Sequence, residues 1–167
     1  YIKRVSMDTF DVQHKGGKGV KGMETKDEDY VEHLFNADSH DIIFFFTDKG
    51  TMHWLNVYEI PEGQRVGKGK AIINLIKVEP GELIKAMITV KKDEIERDDL
   101  YVMMATRNGV IKKTPLSAFK NLRKSAIKAL KIDDGDDLIG VSVTNGSQDI
   151  ILSSSLGMAC RCNEQGI

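Results

Sequence analysis

The decapeptide QHKGGKGVKG, residues 13–22, sets His14, Lys15, Lys18 and Lys21 among Gly16, Gly17, Gly19 and Gly22, with no acidic residue. Glycines let a main chain approach a ligand closely and aim successive N–H groups at an anion, and cations around such a concavity add charge. The chemistry this composition suits is anion binding. The nucleotide-binding pattern G-x-x-x-x-G-K-[ST] cannot be laid on it, because no glycine here precedes Lys and then Ser or Thr. The dinucleotide pattern G-x-G-x-x-G does fit Gly17, Gly19 and Gly22, but no βαβ unit surrounds it.

Charge along the rest of the chain is blocked in the same way. The 167 residues carry a net charge of −1, which taken alone argues against a polyanionic partner. Residues 1–22 nevertheless sum to +3 and residues 23–41 to −6. Residues 63–77 then hold Arg65, Lys68, Lys70 and Lys77 without an acid. Residues 107–131 hold eight cations and no acid: Arg107, Lys112, Lys113, Lys120, Arg123, Lys124, Lys128 and Lys131. Residues 132–149 return to −5. A fold that gathers the basic blocks on one rim produces a face suited to a polyanion.

The elements that would do the gathering are repeated. DIIFFFTDKGTMHWLNVYEI (41–60) matches DLYVMMATRNGVIKKTPLSAF (99–119), and DIILSSSLGMACRC (149–162) starts the pattern again. Each is an acidic residue, a β-prone apolar run, a short turn ending in Gly50, Gly109 or Gly157, and a second run, which is the signature of a tight hairpin. A basic stretch follows, then a third run (AIINLIKV, 71–78; AIKALKI, 126–132), an acidic Gly turn, and a fourth run (LIKAMITV, 83–90; LIGVSVT, 138–144). Four strands per unit of about 50 residues is the arithmetic of a propeller blade. The expected fold is therefore all-β, with about three four-stranded blades. Blade 1 (about 1–40) lacks its first strand, has its second at residues 1–5 and its last at YVEHLFNAD (30–38). Blade 2 covers about 41–97, blade 3 about 98–147, and residues 148–167 begin a further blade. Helical spacing at Leu116, Phe119, Ala126 and Leu130 competes with this assignment. The repeat allows one helical turn near 115–120 and expects a strand over 126–132.

No apolar run approaches membrane-spanning length and no basic-then-apolar leader opens the chain, so a soluble, cytoplasmic protein without a membrane partner is expected. Starting at Tyr1 and ending at Ile167 without a cap, the chain is expected to be a piece of something longer. Cys160 and Cys162 are expected to be reduced structural thiols, and Tyr1, Tyr30, Tyr58 and Tyr101 to be packing residues on strands or their ends.

QHKGGKG (13–19) resembles the gyrase-A box, Q-R-R-G-G-K-G, of the carboxy-terminal domain family of DNA gyrase A subunits. FFFTDKGTMHWLNVYEIP, GKGKAIINLI, ATRNGVIKKTPLSAF and DGDDLIGVSVTNG extend that resemblance over essentially the whole chain. It implies a β-pinwheel that wraps duplex DNA on its rim without base readout, so that the holoenzyme introduces negative supercoils. The DNA-binding residues it implies, together with the basic blocks, are Gln13, His14, Lys15, Gly16, Gly17, Lys18, Gly19, Lys21, Arg65, Lys68, Lys70, Lys112, Lys113, Lys120, Arg123, Lys124 and Lys128. His14 and Lys15 stand where the family has arginines, which removes the bidentate guanidinium fork. The resemblance further implies no catalytic residue, metal or cofactor in this stretch, ATP and Mg2+ being used elsewhere in the holoenzyme. The implied partners are duplex DNA, the gyrase B subunit, and the remainder of the gyrase A subunit, in an A2B2 assembly at the nucleoid. The alternatives are a propeller used as a protein-interaction module and the corresponding domain of the A subunit of topoisomerase IV.

Overall fold

A computed structural model describes residues 1–10, 15–17, 19, 21–25, 29–122 and 125–167. Its nine strands are β1 (Ile42–Thr47), β2 (Thr51–Asn56), β3 (Ile84–Val90), β4 (Tyr101–Thr106), β5 (Ile111–Pro115), β6 (Ile127–Lys128), β7 (Leu138–Thr144), β8 (Asp149–Ser153) and β9 (Ala159–Asn163). Every pairing between them is antiparallel. The only helical pieces among the described residues are short 3-10 turns, of which Val57–Glu59, Leu116–Phe119 and Glu164–Gly166 each follow the second strand of a hairpin.

β1 explains why the first sheet is central. All six of its residues are buried, and alternation divides them between two clusters. Ile42, Phe44 and Phe46 face a core shared with Val102, Met104, Leu116 and Leu138, while Ile43 and Phe45 face Val57, Ile60 and Ile76. A strand covered on both faces has to be continuously apolar, as IIFFFT is. Complete burial of each phenylalanine contributes about 2–3 kcal/mol.

The sheet order is β3-β1-β2-β6, followed by β5-β4-β7 and the hairpin β8-β9. β6 belongs in sequence to the unit of β4, β5 and β7, yet it pairs with β2 through Thr51↔Lys128 and Met52↔Ile127. The third run of the second unit is thus lent to the sheet before it. The same exchange recurs at the amino end, where Ile2 bridges Lys70 with N–H···O distances of 2.8 and 2.9 Å.

Four expected strands change in consequence. Residues 71–78 carry only the 3-10 turn Ile72–Asn74, because Ile72, Ile76 and Val78 cover the second face of the first sheet instead of lengthening its edge. Residues 126–132 keep strand geometry only at Ile127–Lys128, after which Ala129 and Leu130 turn into the core. Residues 1–5 make isolated bridges, Ile2↔Lys70 and Arg4↔Glu62. Residues 30–38 form no strand, whereas β3 and β7 each pair with the first strand of their own hairpin. Helical spacing over 116–130 comes to a single turn, Leu116–Phe119, as the repeat requires. Tyr1, Tyr30 and Tyr58, at 57%, 73% and 53% exposure, are surface residues and not packing ones.

The first two hairpins share their turn chemistry. Thr47 and Thr106 each accept the N–H of the residue four places on, Thr51 and Val110, at 3.1 Å through Oγ1, and each sits at a register shift in the pairing with β3 or β7. Gly50, with φ +75°, closes the first turn, and its carbonyl accepts the N–H groups of Ala129 and Leu130 at 3.0 and 3.1 Å. A Cβ on Gly50 would lie 2.3 Å from the Leu130 carbonyl oxygen. Gly50→Ala is therefore expected to cost about 3 kcal/mol or more, from left-handed strain and a backbone clash together. Gly135→Ala, at φ +82° with nothing within 4 Å of its Cβ, should cost only about 1–2 kcal/mol. Denaturant midpoints of the two variants measure the difference.

Candidate nucleic-acid interface

The hairpins fix which loops lie at which end. The acidic Gly turns come back to the hairpin turns: Leu83 N–H donates to Asp48 Oδ1 at 2.9 Å, and Asn108 N–H to Asp136 Oδ1 at 3.0 Å. Cations there are matched. Lys49 pairs with Asp137 at 3.5 Å, and Arg107 pairs with Asp137 at 3.1 Å and donates to the Gly135 carbonyl at 2.8 Å. Burial raises the Asp136 carboxyl. Hydrogen bonds from Thr106 and from the N–H groups of Asn108 and Asp137, with the charge of Arg107, outweigh that effect and hold it below its ordinary 3.8.

β2 and β5 run away from those turns, so the basic stretches that follow them begin at the opposite end of the sheets and then cross over to the preceding sheet's edge. The first crossover is pinned by the amino-terminal segment. Arg4 Nε donates to the Ile60 carbonyl at 2.9 Å, and Lys3 Nζ donates to the carbonyls of Gln64 and Arg65 at 2.9 and 2.5 Å. Desolvation pulls the Lys3 ammonium below the usual lysine range. Glu24 N–H donates to the Val66 carbonyl at 2.8 Å, which ties the residues following the glycine-rich decapeptide to this crossover. Lys15, Gly16, Gly17, Gly19 and Lys21 are exposed, as are Lys68 and Lys70, while Arg65 is half-buried. A Cβ at Gly16, Gly19 or Gly22 would meet nothing within 4 Å, so packing within the chain gives no reason for those glycines, apart from the φ of +86° at Gly16.

The second crossover leaves the turn Leu116–Phe119 through exposed Lys120 and reaches the first sheet at Lys128, whose ammonium donates to the Lys49 carbonyl at 2.6 Å. Lys112 donates to the Ala129 carbonyl at 2.8 Å. Both lysines remain exposed. Residues Ser125 and Ala126 of this crossover face Leu75, Ile76 and Lys77, just beyond the first crossover, across a 370 Å³ cavity beside β2. Lys113 points elsewhere, lying 5.2 Å from the centre of the Tyr101 ring and donating to the Glu164 carbonyl. Gln13, His14, Lys18, Arg123 and Lys124 lie outside the described residues. The structure thus places Arg65, Lys68 and Lys70 on the crossover that Lys3 and Arg4 pin and Lys112 and Lys128 beside β6, leaves Lys15, Lys21 and Lys120 exposed, and turns Lys113 toward Glu164. The sequence reading missed the roles of Lys3, Arg4 and Lys49. Their signal was position, since the first two stand where a second hairpin strand meets the borrowed run.

Cys160 and Cys162 are free thiols. Among the described residues no group of three or more His, Cys, Asp or Glu is placed to hold a metal ion, and no helix is long and apolar enough to cross a membrane.

Repeated antiparallel units, the first of which takes its outer strand from the next and is joined to it by a cationic crossover, define a propeller-like β-pinwheel. A family model described as "DNA gyrase C-terminal domain, beta-propeller" matches residues 1–38, 41–91 and 100–145, and the chain belongs to that family. It is 42% identical over 164 residues to the DNA gyrase A subunit of Clostridium acetobutylicum, covering 98% of this chain and 19% of that protein. Against the DNA gyrase A subunit of Neisseria gonorrhoeae the identity is 44% over 164 residues, covering 98% and 18%. The chain therefore spans about a fifth of the length of these curated relatives. Among solved structures, the C-terminal domain of DNA topoisomerase IV superposes with a TM-score of 0.75 at 26% identity, covering 88% of this chain and 45% of that one. A DNA gyrase A C-terminal domain superposes with a TM-score of 0.76 at 24% identity, covering 100% and 52%, and shows the shared fold.

Acid should loosen the anionic end first. A carboxyl held low in the folded state stabilises above its unfolded value, and that contribution disappears as pH falls through 3.8 and then through the lower folded value. Asp136→Asn should lower stability at pH 7 and flatten its decline between pH 5 and 3, as read by thermal melts across that range.

Proposed function

We propose that this chain is the part of a gyrase A subunit that holds and wraps duplex DNA, reading shape and charge without base contacts. The observation that carries the proposal is the coincidence of two features. The two segments that follow β2 and β5 and lead toward the neighbouring unit are basic, and their exposed lysines Lys68, Lys70 and Lys120, like the exposed Lys15 and Lys21 of the glycine-rich decapeptide, form no ion pair with a described carboxylate. Blades divided at about residues 40, 97 and 147 fit this exchange of strands, because each division falls between a fourth run and the next hairpin.

Wrapping requires a continuous track. Bending 20–30 base pairs costs on the order of 1–6 kcal/mol, and scattered charges would not offset it. Phosphate contacts act through counterion release and lower the logarithm of affinity by about 0.9 per contact for each decade of salt. About six contacts give a slope near −5. The exposed glycines Gly16, Gly17 and Gly19 allow the duplex backbone to approach the main chain, with Gln13, His14 and Lys18 of the same box beside it. Lys112, Lys128, Arg65, Arg123 and Lys124 extend the track, and Lys113 serves it indirectly by fastening the edge that carries Lys112. On this reading the fragment has no catalytic step of its own. ATP and Mg2+ act elsewhere in the A2B2 holoenzyme, its protein partners are the gyrase B subunit plus the remainder of the gyrase A subunit, and its place is the nucleoid. Curated relatives at 40–44% identity that are gyrase A subunits, among them those of Clostridium acetobutylicum and Neisseria gonorrhoeae, favour gyrase over topoisomerase IV.

In a gyrase carrying this domain, Lys15→Ala with Lys18→Ala should reduce wrapping, read as a smaller topology change when nicked circles are ligated in its presence. Unaltered topology would count against the proposal. Lys68→Ala, Lys70→Ala and Lys120→Ala should each reduce the salt slope of DNA affinity by about 0.9. Slopes that stay unchanged, or affinity that ignores salt, would point to a protein-interaction role instead.

A further inference from the structure

The loop that carries Arg65, Lys68 and Lys70 closes on three successive residues of the amino-terminal segment. Its entry is tied to Arg4, whose N–H donates to the Pro61 carbonyl at 3.1 Å and whose carbonyl accepts the Gly63 N–H at 3.0 Å. Its exit is tied to Ile2, which exchanges both backbone hydrogen bonds with Lys70. Lys3 stands between those two anchors, and the ammonium at its tip donates to the Gln64 and Arg65 carbonyls in the middle of the loop.

The stem of Lys3 is held as closely as its tip. A Cβ on Gly63 would lie 3.1 Å from Lys3 Cδ, and a Cβ on Gly69 would lie 3.1 Å from Lys3 Cβ and 2.5 Å from the Ile2 carbonyl oxygen. Both shoulders of the loop thus lean on one side chain, and at Gly69 there is no room for any other residue. The contacts run on from the tip. Val66, next to Arg65, accepts the Glu24 N–H at 2.8 Å, so the backbone leaving the glycine-rich decapeptide is fastened to the same loop.

Stability alone does not account for a charge in this place. Burial pulls the Lys3 ammonium below the ordinary 10.5, which means that the folded chain carries the charge at a cost. What the ammonium does provide is a donor that reaches two successive carbonyls at once. Those carbonyls set the course of the backbone through Arg65 and Val66, on which the exposed Lys68 and the tie to Glu24 both depend. The charge of Lys3 is used inside the chain, and the charges of Lys68 and Lys70 face outward.

We propose, resting on the wrapping reading above, that Lys3 is a positioning residue of the DNA track: without touching the duplex, it fixes the 63–70 loop and the exit of the glycine-rich decapeptide in the arrangement that lets Lys21, Arg65, Lys68 and Lys70 meet one duplex together.

Amide hydrogen exchange and duplex binding, both on the whole chain, test it. Lys3→Met keeps the stem and removes the donor. It should speed exchange of the Gly67 and Glu24 N–H groups, which bond to loop carbonyls, roughly tenfold while β1 and β4 keep their rates. Affinity for a linear DNA duplex should fall roughly threefold or more, because the competent arrangement is less populated. The salt slope should stay the same, since no phosphate contact is removed. Lys68→Ala should instead lower the slope by about 0.9 and leave Gly67 and Glu24 protected. Lys3→Arg, which again offers donors to both carbonyls, should restore protection and affinity together. Unchanged exchange or unchanged affinity in Lys3→Met would overturn the role, as would equal acceleration in β1 and β4 or failure of Lys3→Arg to restore either property. A slope that falls in Lys3→Met as in Lys68→Ala would overturn it by making Lys3 a phosphate contact. Absence of duplex binding by the unaltered chain would overturn the wrapping reading and this role with it, whereas every other adverse result strikes this role alone.

Discussion

The structure depends on the exchange of one short strand between successive units. β6 is only two residues long, yet the contact it opens continues through the Gly50 carbonyl, which accepts from Ala129 and Leu130, and through Leu138 N–H, which donates to the Asp48 carbonyl at 2.9 Å. These bonds join backbone to backbone at the lip of a hairpin whose turn allows no side chain at Gly50. Because they lie at the sheet margin, they leave both faces of β1 free for apolar cover, and the core extends from the first sheet to the second. Stability and the placement of charge then share a cause. A segment that must reach its neighbour's edge runs over the outside of the molecule, where lysine and arginine are tolerated and acid can be omitted.

How much of this the sequence disclosed depends on the kind of interaction. Hairpins were legible because their rules are local: Asp48-Lys49-Gly50 and Arg107-Asn108-Gly109 specify tight turns, and the flanking runs alternate between faces as strands should. The repeat period was legible for the same reason. The partner of the third run was not, since AIKALKI looks equally apolar whether it closes its own sheet or the one before. Nothing in AIINLIKV announces that Ile76 packs over Phe45 and not beside β2, because a residue pattern encodes burial more strongly than it encodes neighbours. The 3-10 turn Leu116–Phe119 was foreseeable only from its place in the repeat, against a helical spacing that pointed elsewhere.

The site divides along a similar line. That residues 107–131 are cationic could be seen directly, but which cations are spent internally could not. Lys112 and Lys113 are adjacent and of one type, yet β-strand alternation sends them to opposite faces. One stays exposed beside Ala129, and the other is drawn over Tyr101 toward Glu164. Glu164 itself gave no sign. In sequence it is one acidic residue near a hairpin end, and only the corresponding positions of Val57 and Leu116 reveal that a buried anchor has become a charge.

A net charge of −1 and a polyanion-binding edge are compatible because electrostatics in salt is local. Exposed charges farther apart than about 8–10 Å scarcely affect one another at physiological ionic strength. The anionic turns at 133–137 therefore need only be matched locally, and the fold does this at the hairpin-turn end, which the second crossover also reaches through Lys128. There Asp48 and Asp136 accept backbone N–H groups, and Asp137 is matched by Lys49 and Arg107. Their charge is consumed in holding turns together. Among the described residues the crossover lysines Lys68, Lys70, Lys120 and Lys128, and Lys112 beside them, by contrast, either reach backbone carbonyls, which leaves their charge uncancelled, or extend into solvent. A chain that averages to neutrality thus presents one end whose charges are internally matched and edges whose charges are not, and only the unmatched charges are available to a partner.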